Sequence, residues 1–248
     1  MSDKTFFTLP IELVYRIFDN LTNYSLLYSM KNVSKHFNTI LAKYHRSFTI
    51  LDLRYDQMTL QKIQYLSNTL EDNRTITTLF LHNNQIGSQG AEYLANALRQ
   101  NQALTILNLH GNHIGLQGVQ HLAVALQENE TLTFLDLWEN DIGDQGAQYL
   151  AKSLQKNQTL TTLEIGKNQI SYQGVRCFLG VLLKNTTLRE LYLSHNEITD
   201  EGALYMSIAL ENNQTLVVLN LRFNPITTIG KKDLGKIREK NPNLELII

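Results

Sequence analysis

A step of 28 residues organises most of this chain: Leu79, Leu107, Leu135, Leu163, Leu191 and Leu219 stand that far apart, and Leu81, Leu109, Leu137, Ile165, Leu193 and Leu221 follow two residues later. Asn84, Asn112, Asn140, Asn168, Asn196 and Asn224 share the step, as do Ile86, Ile114, Ile142, Ile170, Ile198 and Ile226 and then Gly90, Gly118, Gly146, Gly174, Gly202 and Gly230. Self-similarity this strict means one supersecondary unit stacked on copies of itself, because a single unit cannot bury its own apolar face. Seven units and a final five residues occupy 48–248, and 47 residues precede them.

Each position in the unit has a physical task. In Leu79-Phe80-Leu81 the alternation of period two buries both leucines and turns Phe80 to the opposite face, as a short strand requires. Asn84 and its equivalents fall where the chain leaves the strand, so their amides are expected to satisfy inward-turning loop groups. Ala91, Leu94, Ala95, Ala97 and Leu98 carry helical spacing, and Gly90 is expected to let that helix lie close on the strand layer. Ser88, Asp144, Asp200 and Thr228 stand where a helix N-cap is wanted, with Leu116 and Tyr172 predicting less clean starts. Asn73, Asn101, Asn129, Asn157, Asn185, Asn213 and Asn241 recur after the last helical leucine, where a left-handed C-cap suits asparagine. Several of these read Asn-x-Thr and are taken as by-products of the repeat, not glycosylation sites. The first unit has Asp56 for the asparagine and Lys62 for the glycine and reads as a capping repeat, while 244–248 starts an eighth strand.

The unit L-x-x-L-x-L-x-x-N-x-I-x-x-x-G-A-x-x-L-A-x-A-L-x-x-N resembles the leucine-rich repeat of the ribonuclease-inhibitor type. That resemblance implies an α/β right-handed solenoid, a horseshoe with parallel strands on the concave side and helices on the convex side.

The first 47 residues follow another pattern. Leu13, Ile17 and Leu21 form one stripe of an amphipathic segment opened by Pro10, and Val33, Phe37, Ile40, Leu41 and Tyr44 repeat at helical spacing further on. The run from Leu9-Pro10-Ile11-Glu12 through Ile17-Phe18 and Leu21 to Val33-Ser34-Lys35-His36-Phe37 resembles an F-box, with Ser34 and Phe37 where that family commonly has Cys and Trp. The division implied is 1–47 as a small three-helix F-box-like module and 48–248 as the repeat domain. The resemblance implies docking onto a Skp-type adaptor of a cullin-RING (SCF) ubiquitin ligase through Leu9, Pro10, Ile17, Phe18, Leu21, Leu26, Leu27, Val33, Lys35 and Phe37, some facing the adaptor and others holding the helices together. A second reading makes these helices a cap on a stand-alone leucine-rich-repeat inhibitor or scaffold of ribonuclease-inhibitor or NOD-like type.

Strand residues opposite the leucines line the inner face, and the repeat does not dictate them. They form columns: Asp52, Phe80, Asn108, Asp136, Glu164, Tyr192 and Asn220; then Arg54, His82, His110, Trp138, Gly166, Ser194 and Arg222; and Ile50, Thr78, Ile106, Phe134, Thr162, Glu190 and Val218. The one Trp of the chain sits among aromatics and acids there, the composition of a protein-binding hot spot. Phe80, His82, His110, Phe134, Asp136, Trp138, Glu164 and Tyr192 are the expected contacts with a protein substrate.

Other chemistries find no support. The expected neighbours of His82 and His110 in their column are Arg54 and Trp138, which are not metal ligands, so neither metal nor cofactor is expected. Asp136 could orient His110, but no Ser or Cys lies in adjacent column positions to act as nucleophile, so no catalytic residue is assigned. A formal net charge of -1, from 22 basic and 23 acidic residues, gives no global field for a nucleic acid or an anionic membrane. Lys231, Lys232, Lys236, Arg238 and Lys240 read as a solvated face of the last helix. No apolar run is long enough to span a bilayer, and one cysteine precludes an internal disulfide. The expected protein is a non-enzymatic adaptor of the cytoplasm or nucleus.

Overall fold

The leucine alternation produces strands of three residues: β1 (Ile50–Asp52), β2 (Thr78–Phe80), β3 (Ile106–Asn108), β4 (Phe134–Asp136), β5 (Thr162–Glu164), β6 (Glu190–Tyr192), β7 (Val218–Asn220) and β8 (Glu245–Ile247). The structure, a computed structural model, describes residues 49–248. The F-box-like residues Leu9 to Phe37 lie outside that range. Among the described residues these eight strands form one open parallel sheet in sequence order. Leu79 pairs with Leu107 and Leu107 with Leu135, one repeat apart, whereas Leu219 pairs with Leu246, so the last step is one residue shorter.

Between strands the chain returns through α1 (Leu60–Glu71), α2 (Gly87–Gln100), α3 (Gly115–Leu126), α4 (Gly143–Leu154), α5 (Tyr172–Arg176), α6 (Leu179–Leu182), α7 (Asp200–Leu210) and α8 (Thr228–Lys240). One continuous core lies between sheet and helices. Leu79, Leu107, Leu135, Leu163, Leu191 and Leu219 are fully enclosed in it, each contributing about 1.5–3 kcal/mol relative to exposure. The fifth unit departs from a single helix: it breaks between α5 and α6 at Cys177 and Phe178. There Phe178 and Leu179 stand where the second unit has Leu94 and Ala95, and the greater bulk against the sheet accounts for the break.

Two asparagine columns hold the stack. The Asn112 backbone N–H donates to Asn140 Oδ1 (3.0 Å), and the Asn140 Nδ2 donates to the Leu109 and Trp138 carbonyls (2.9 and 3.0 Å). The same ladder runs through Asn84, Asn168 and Asn196, so each loop is tied to the next repeat as well as to its own strand. The second column corrects the expected left-handed C-caps. Asn101 has φ -69° and ψ 133°; its Oδ1 accepts from the Ala103 and Leu104 N–H groups while Nδ2 reaches the Leu70 carbonyl of the previous repeat. Burial and full bonding of Asn129, Asn157, Asn185 and Asn213 explain their recurrence within Asn-x-Thr triplets.

Left-handed backbone occurs instead on either side of the strand-end asparagine, at Asn83 and Gln85, Glu139 and Asp141, and Lys167 and Gln169. Such residues cost about 1–3 kcal/mol each and persist because the asparagine bonds over-determine the turn. Helix starts also differ from expectation, by one residue. Thr59, Ser171 and Thr227 are the capping side chains, whereas α2, α3 and α4 are entered through Gly87, Gly115 and Gly143 at positive φ. Tyr172 therefore follows a good cap. Asp144 and Asp200 serve the next repeat: Asp144 accepts from the N–H groups of Ser171 and Gly174 (2.7 and 2.9 Å), and Asp200 from those of Thr227 and Gly230 (2.7 and 3.1 Å). Gly90 and its equivalents give room to the turn isoleucine and the preceding helix more than to the strands. A Cβ at Gly118 would stand 2.5 Å from Ile114 Cγ2 and 3.0 Å from Ala91 Cβ.

Candidate functional site: the concave sheet face

Parallel register places the inner-face residues in columns, with Phe80 beside Asn108, Asn108 beside Asp136, Asp136 beside Glu164 and Glu164 beside Tyr192. Phe80, His82, His110, Phe134, Trp138, Glu164 and Tyr192 are half-buried, and Asp136 is buried at 8% exposure. Asp136 is thus not an exposed acid. Its Oδ1 accepts from the Trp138 N–H (2.9 Å) and its Oδ2 from Asn108 Nδ2 (2.6 Å), so it orients the Trp138 backbone and not the His110 ring.

The rings join into a row along the C-terminal ends of the strands. Tyr55 meets His82 edge-on at 5.5 Å between centroids, His82 lies 6.1 Å from His110, and His110 lies 6.2 Å from Trp138. Trp138 then meets His195 edge-on at 5.4 Å, and His195 stacks on Phe223 at 4.3 Å. Trp138 reaches that far because Gly166 is beneath it: a Cβ there would stand 2.3 Å from Cε3 and Cζ3 of the indole. Tyr55, His195 and Phe223 belong to the next column along and were absent from the expected contacts. Strict strand alternation sends them to the other face, but their left-handed backbone (φ 57°, 55° and 57°) brings their rings back into the row. The signal available in sequence was aromatic character at that loop position, in the first unit and the last two.

Charge is unevenly placed on this face. Arg54 is clamped by Asp52 and lies over the Phe80 ring, Lys167 pairs with Glu139, and Arg222 lies over Phe223 at the far end. The centre holds Asp136, Glu164 and Glu190 on β4, β5 and β6. Burial raises the Asp136 carboxyl above its ordinary value. Burial also pushes Glu164 up to about 8, against the hydrogen bond its Oε1 accepts from the Gly166 N–H (2.9 Å) and with a contribution from the Asp136 charge. Tyr192 donates to Glu190 Oε2 (3.0 Å), and burial followed by that bond takes its hydroxyl to about 12. His82 is held below its usual value, first by burial and then by Arg54 and His110.

Reactive chemistry is not assembled here. His82 and His110 are neighbours, but among the described residues no group of three or more His, Cys, Asp or Glu side chains is placed to hold a metal ion. Cys177 sits on the helical side, with burial raising its thiol pKa, the reverse of nucleophile activation. No helix among the described residues is long and apolar enough to cross a membrane.

Comparison with known proteins agrees with this architecture. A family model described as Leucine Rich repeat matches residues 72–95, 100–123, 128–151, 156–179, 184–207 and 212–234, more than half of the chain. The chain belongs to the leucine-rich repeat family. No curated protein sequence matches it. Among solved structures it is similar to leiomodin-1 actin-binding site 2, with 20% identity, a TM-score of 0.50, and coverage of 60% of this chain and 87% of that one. It is also similar to the tropomodulin C-terminal domain of Caenorhabditis elegans, with 17% identity, a TM-score of 0.50, and coverage of 61% and 93%. At these identities the likeness is one of fold. Leucine-rich repeat domains serve in general as protein-binding scaffolds, and this chain has a protein-interaction role.

Proposed function

We propose that the protein is the substrate-recognition subunit of a cullin-RING (SCF) ubiquitin ligase: residues 1–47 dock a Skp-type adaptor and the concave face holds a protein substrate, with no catalysis of its own. The observation that carries the concave-face half is the row Tyr55, His82, His110, Trp138, His195 and Phe223, rings that stand partly open to solvent on the inner face of the sheet. Its support on the other half is the F-box resemblance of Leu9-Pro10-Ile11-Glu12, Ile17-Phe18 and Val33-Ser34-Lys35-His36-Phe37. The 28-residue alternation of strand and helix supports the ribonuclease-inhibitor subtype of the repeat. Cytoplasm or nucleus is the compartment this reading requires, and Asn129, Asn157, Asn185 and Asn213 of the Asn-x-Thr triplets are enclosed and bonded within the stack.

Calorimetric titration of the full chain with a Skp-type adaptor tests the docking half, with Leu9→Ala/Pro10→Ala as the paired control. Binding at about micromolar Kd or tighter that the control loses is the expected result. No binding by a folded chain returns residues 1–47 to the role of a cap on a stand-alone binding protein.

A further inference from the structure

We infer that the concave face takes an extended basic segment of its partner, with a lysine or arginine side chain laid across Trp138 and directed at Glu164 and Glu190. This rests on the concave-face half of the proposed function and gives that surface a partner chemistry.

Charge complementarity carries the inference. Across β3 to β6 the three inner columns hold Ile106, Asn108, His110, Phe134, Asp136, Trp138, Thr162, Glu164, Gly166, Glu190, Tyr192 and Ser194, without one lysine or arginine. Among the described residues the hydrogen-bond partners of these acids are neutral: Asp136 bonds Asn108 and the Trp138 N–H, Glu164 the Gly166 N–H, and Glu190 the Thr162 and Tyr192 hydroxyls. By contrast Asp52 and Glu139, outside this central set, each pair with a cation of the chain itself. The centre of this face, with partly buried carboxyls and no lysine or arginine in its inner columns, gains from a cation supplied in trans, and the raised pKa of Glu164 agrees with that deficit.

Geometry selects the form of the cation. The indole of Trp138 reaches Gly166, where a Cβ would stand 2.3 Å from its Cε3 and Cζ3, and the Gly166 N–H bonds Glu164 Oε1 (2.9 Å), so an aromatic ring stands beside a carboxyl. An alkyl stem with a cationic head satisfies both, because the stem packs on the ring and the head meets the acid. Eight strands at about 4.8 Å spacing span about 34 Å, which an extended segment of about ten residues covers. The near-neutral total charge of -1 leaves little non-specific attraction for such a peptide, so recognition is local.

The test titrates the full chain with three synthetic ten-residue peptides of one Gly/Ser/Leu frame, carrying three Lys/Arg, three Glu or three Gln, and reads the fluorescence of Trp138. The basic peptide is expected to bind and shift the emission, with affinity falling as salt rises. Glu164→Gln/Glu190→Gln, which keeps the shape and removes the charge, is expected to weaken it about tenfold or more, while Glu130→Gln, at an exposed loop position between α3 and β4, leaves it unchanged. Preference for the acidic or neutral peptide would overturn the charge assignment and leave the concave face as a binding surface. Equal binding by the double variant would do the same. Binding of no peptide, together with adaptor binding in the separate titration, would overturn the inference while the docking half of the proposed function stood.

Discussion

Asn140→Ala removes four hydrogen bonds from a side chain with no solvent exposure, and the cost follows from which partners have substitutes. The two carbonyls do. Leu109 O still accepts from Asn112 Nδ2 (2.9 Å), and Trp138 O still accepts from the Gly111 N–H (2.9 Å). The two donors do not: the Asn112 N–H (3.0 Å) and the Ile114 N–H (3.3 Å) both point to Asn140 Oδ1 and are left without a partner in the interior. One well-formed and one longer bond, at about 1–3 kcal/mol for each buried group left unpaired, give a loss of about 2–4 kcal/mol. Urea unfolding at pH 7, followed by circular dichroism with the slope checked for two-state behaviour, measures it. Asn140→Asp separates acceptor from donor. At about pH 3, below the ordinary aspartate value, its carboxyl restores an acceptor to both N–H groups and should lie closer to the parent than the alanine variant does under the same conditions. Gln169→Ala, which removes an exposed contact to Asp141, should stay within about 0.5 kcal/mol. An Asn140→Ala loss no larger than that of Gln169→Ala would refute the reasoning.

Gly166→Ala puts a methyl group into the Trp138 indole and within 2.9 Å of the Ser194 carbonyl, so the ring must leave its contact with His195; a shifted emission maximum and a loss of about 1–3 kcal/mol are expected. Unchanged emission would contradict the close approach of the indole to Gly166. Glu164 has a folded value of about 8 against an ordinary 4.5, so the folded protein keeps a proton that the unfolded chain releases. Its contribution to stability is present below the ordinary value and is lost as pH rises through that window, at up to about 1.4 kcal/mol per pH unit. Glu164→Gln should flatten the pH dependence of urea midpoints between these two values, and equal slopes in parent and variant would count against a buried, protonated Glu164. Trp138→Ala should leave stability within about 1 kcal/mol, as measured by thermal melting, because the indole covers a strand end and not the leucine core.

The repeat was legible because its residues answer to one rule each. Leu79 and Leu81 must face inward, Asn84 must satisfy a turn, and Ala91 and Leu94 must lie on one helical stripe, so spacing alone gave strands, helices and the order of the sheet. Columns of inner-face residues followed from the same period of two, and parallel register reproduces them. Three features escaped for physical reasons. Asn101 sits after a helix, where sequence preference suggests a left-handed cap, but a longer-range bond to the Leu70 carbonyl decides its conformation. Asp144 and Asp200 cap a helix one repeat later, a relation visible only across a spacing of 27 to Ser171 and Thr227. Tyr55, His195 and Phe223 join the ring row through positive φ, which breaks the alternation by which the face was read.

The central claim is that the concave ring row captures a protein partner, and differential capture tests it most directly. Full-length parent, Trp138→Ala/His195→Ala and Glu130→Gln chains, each verified by melting curve, are immobilised and their bound proteins quantified by mass spectrometry. The account predicts a set of proteins retained by the parent and by Glu130→Gln but lost from Trp138→Ala/His195→Ala. Identical sets on all three chains would contradict it and move the interaction off the concave face.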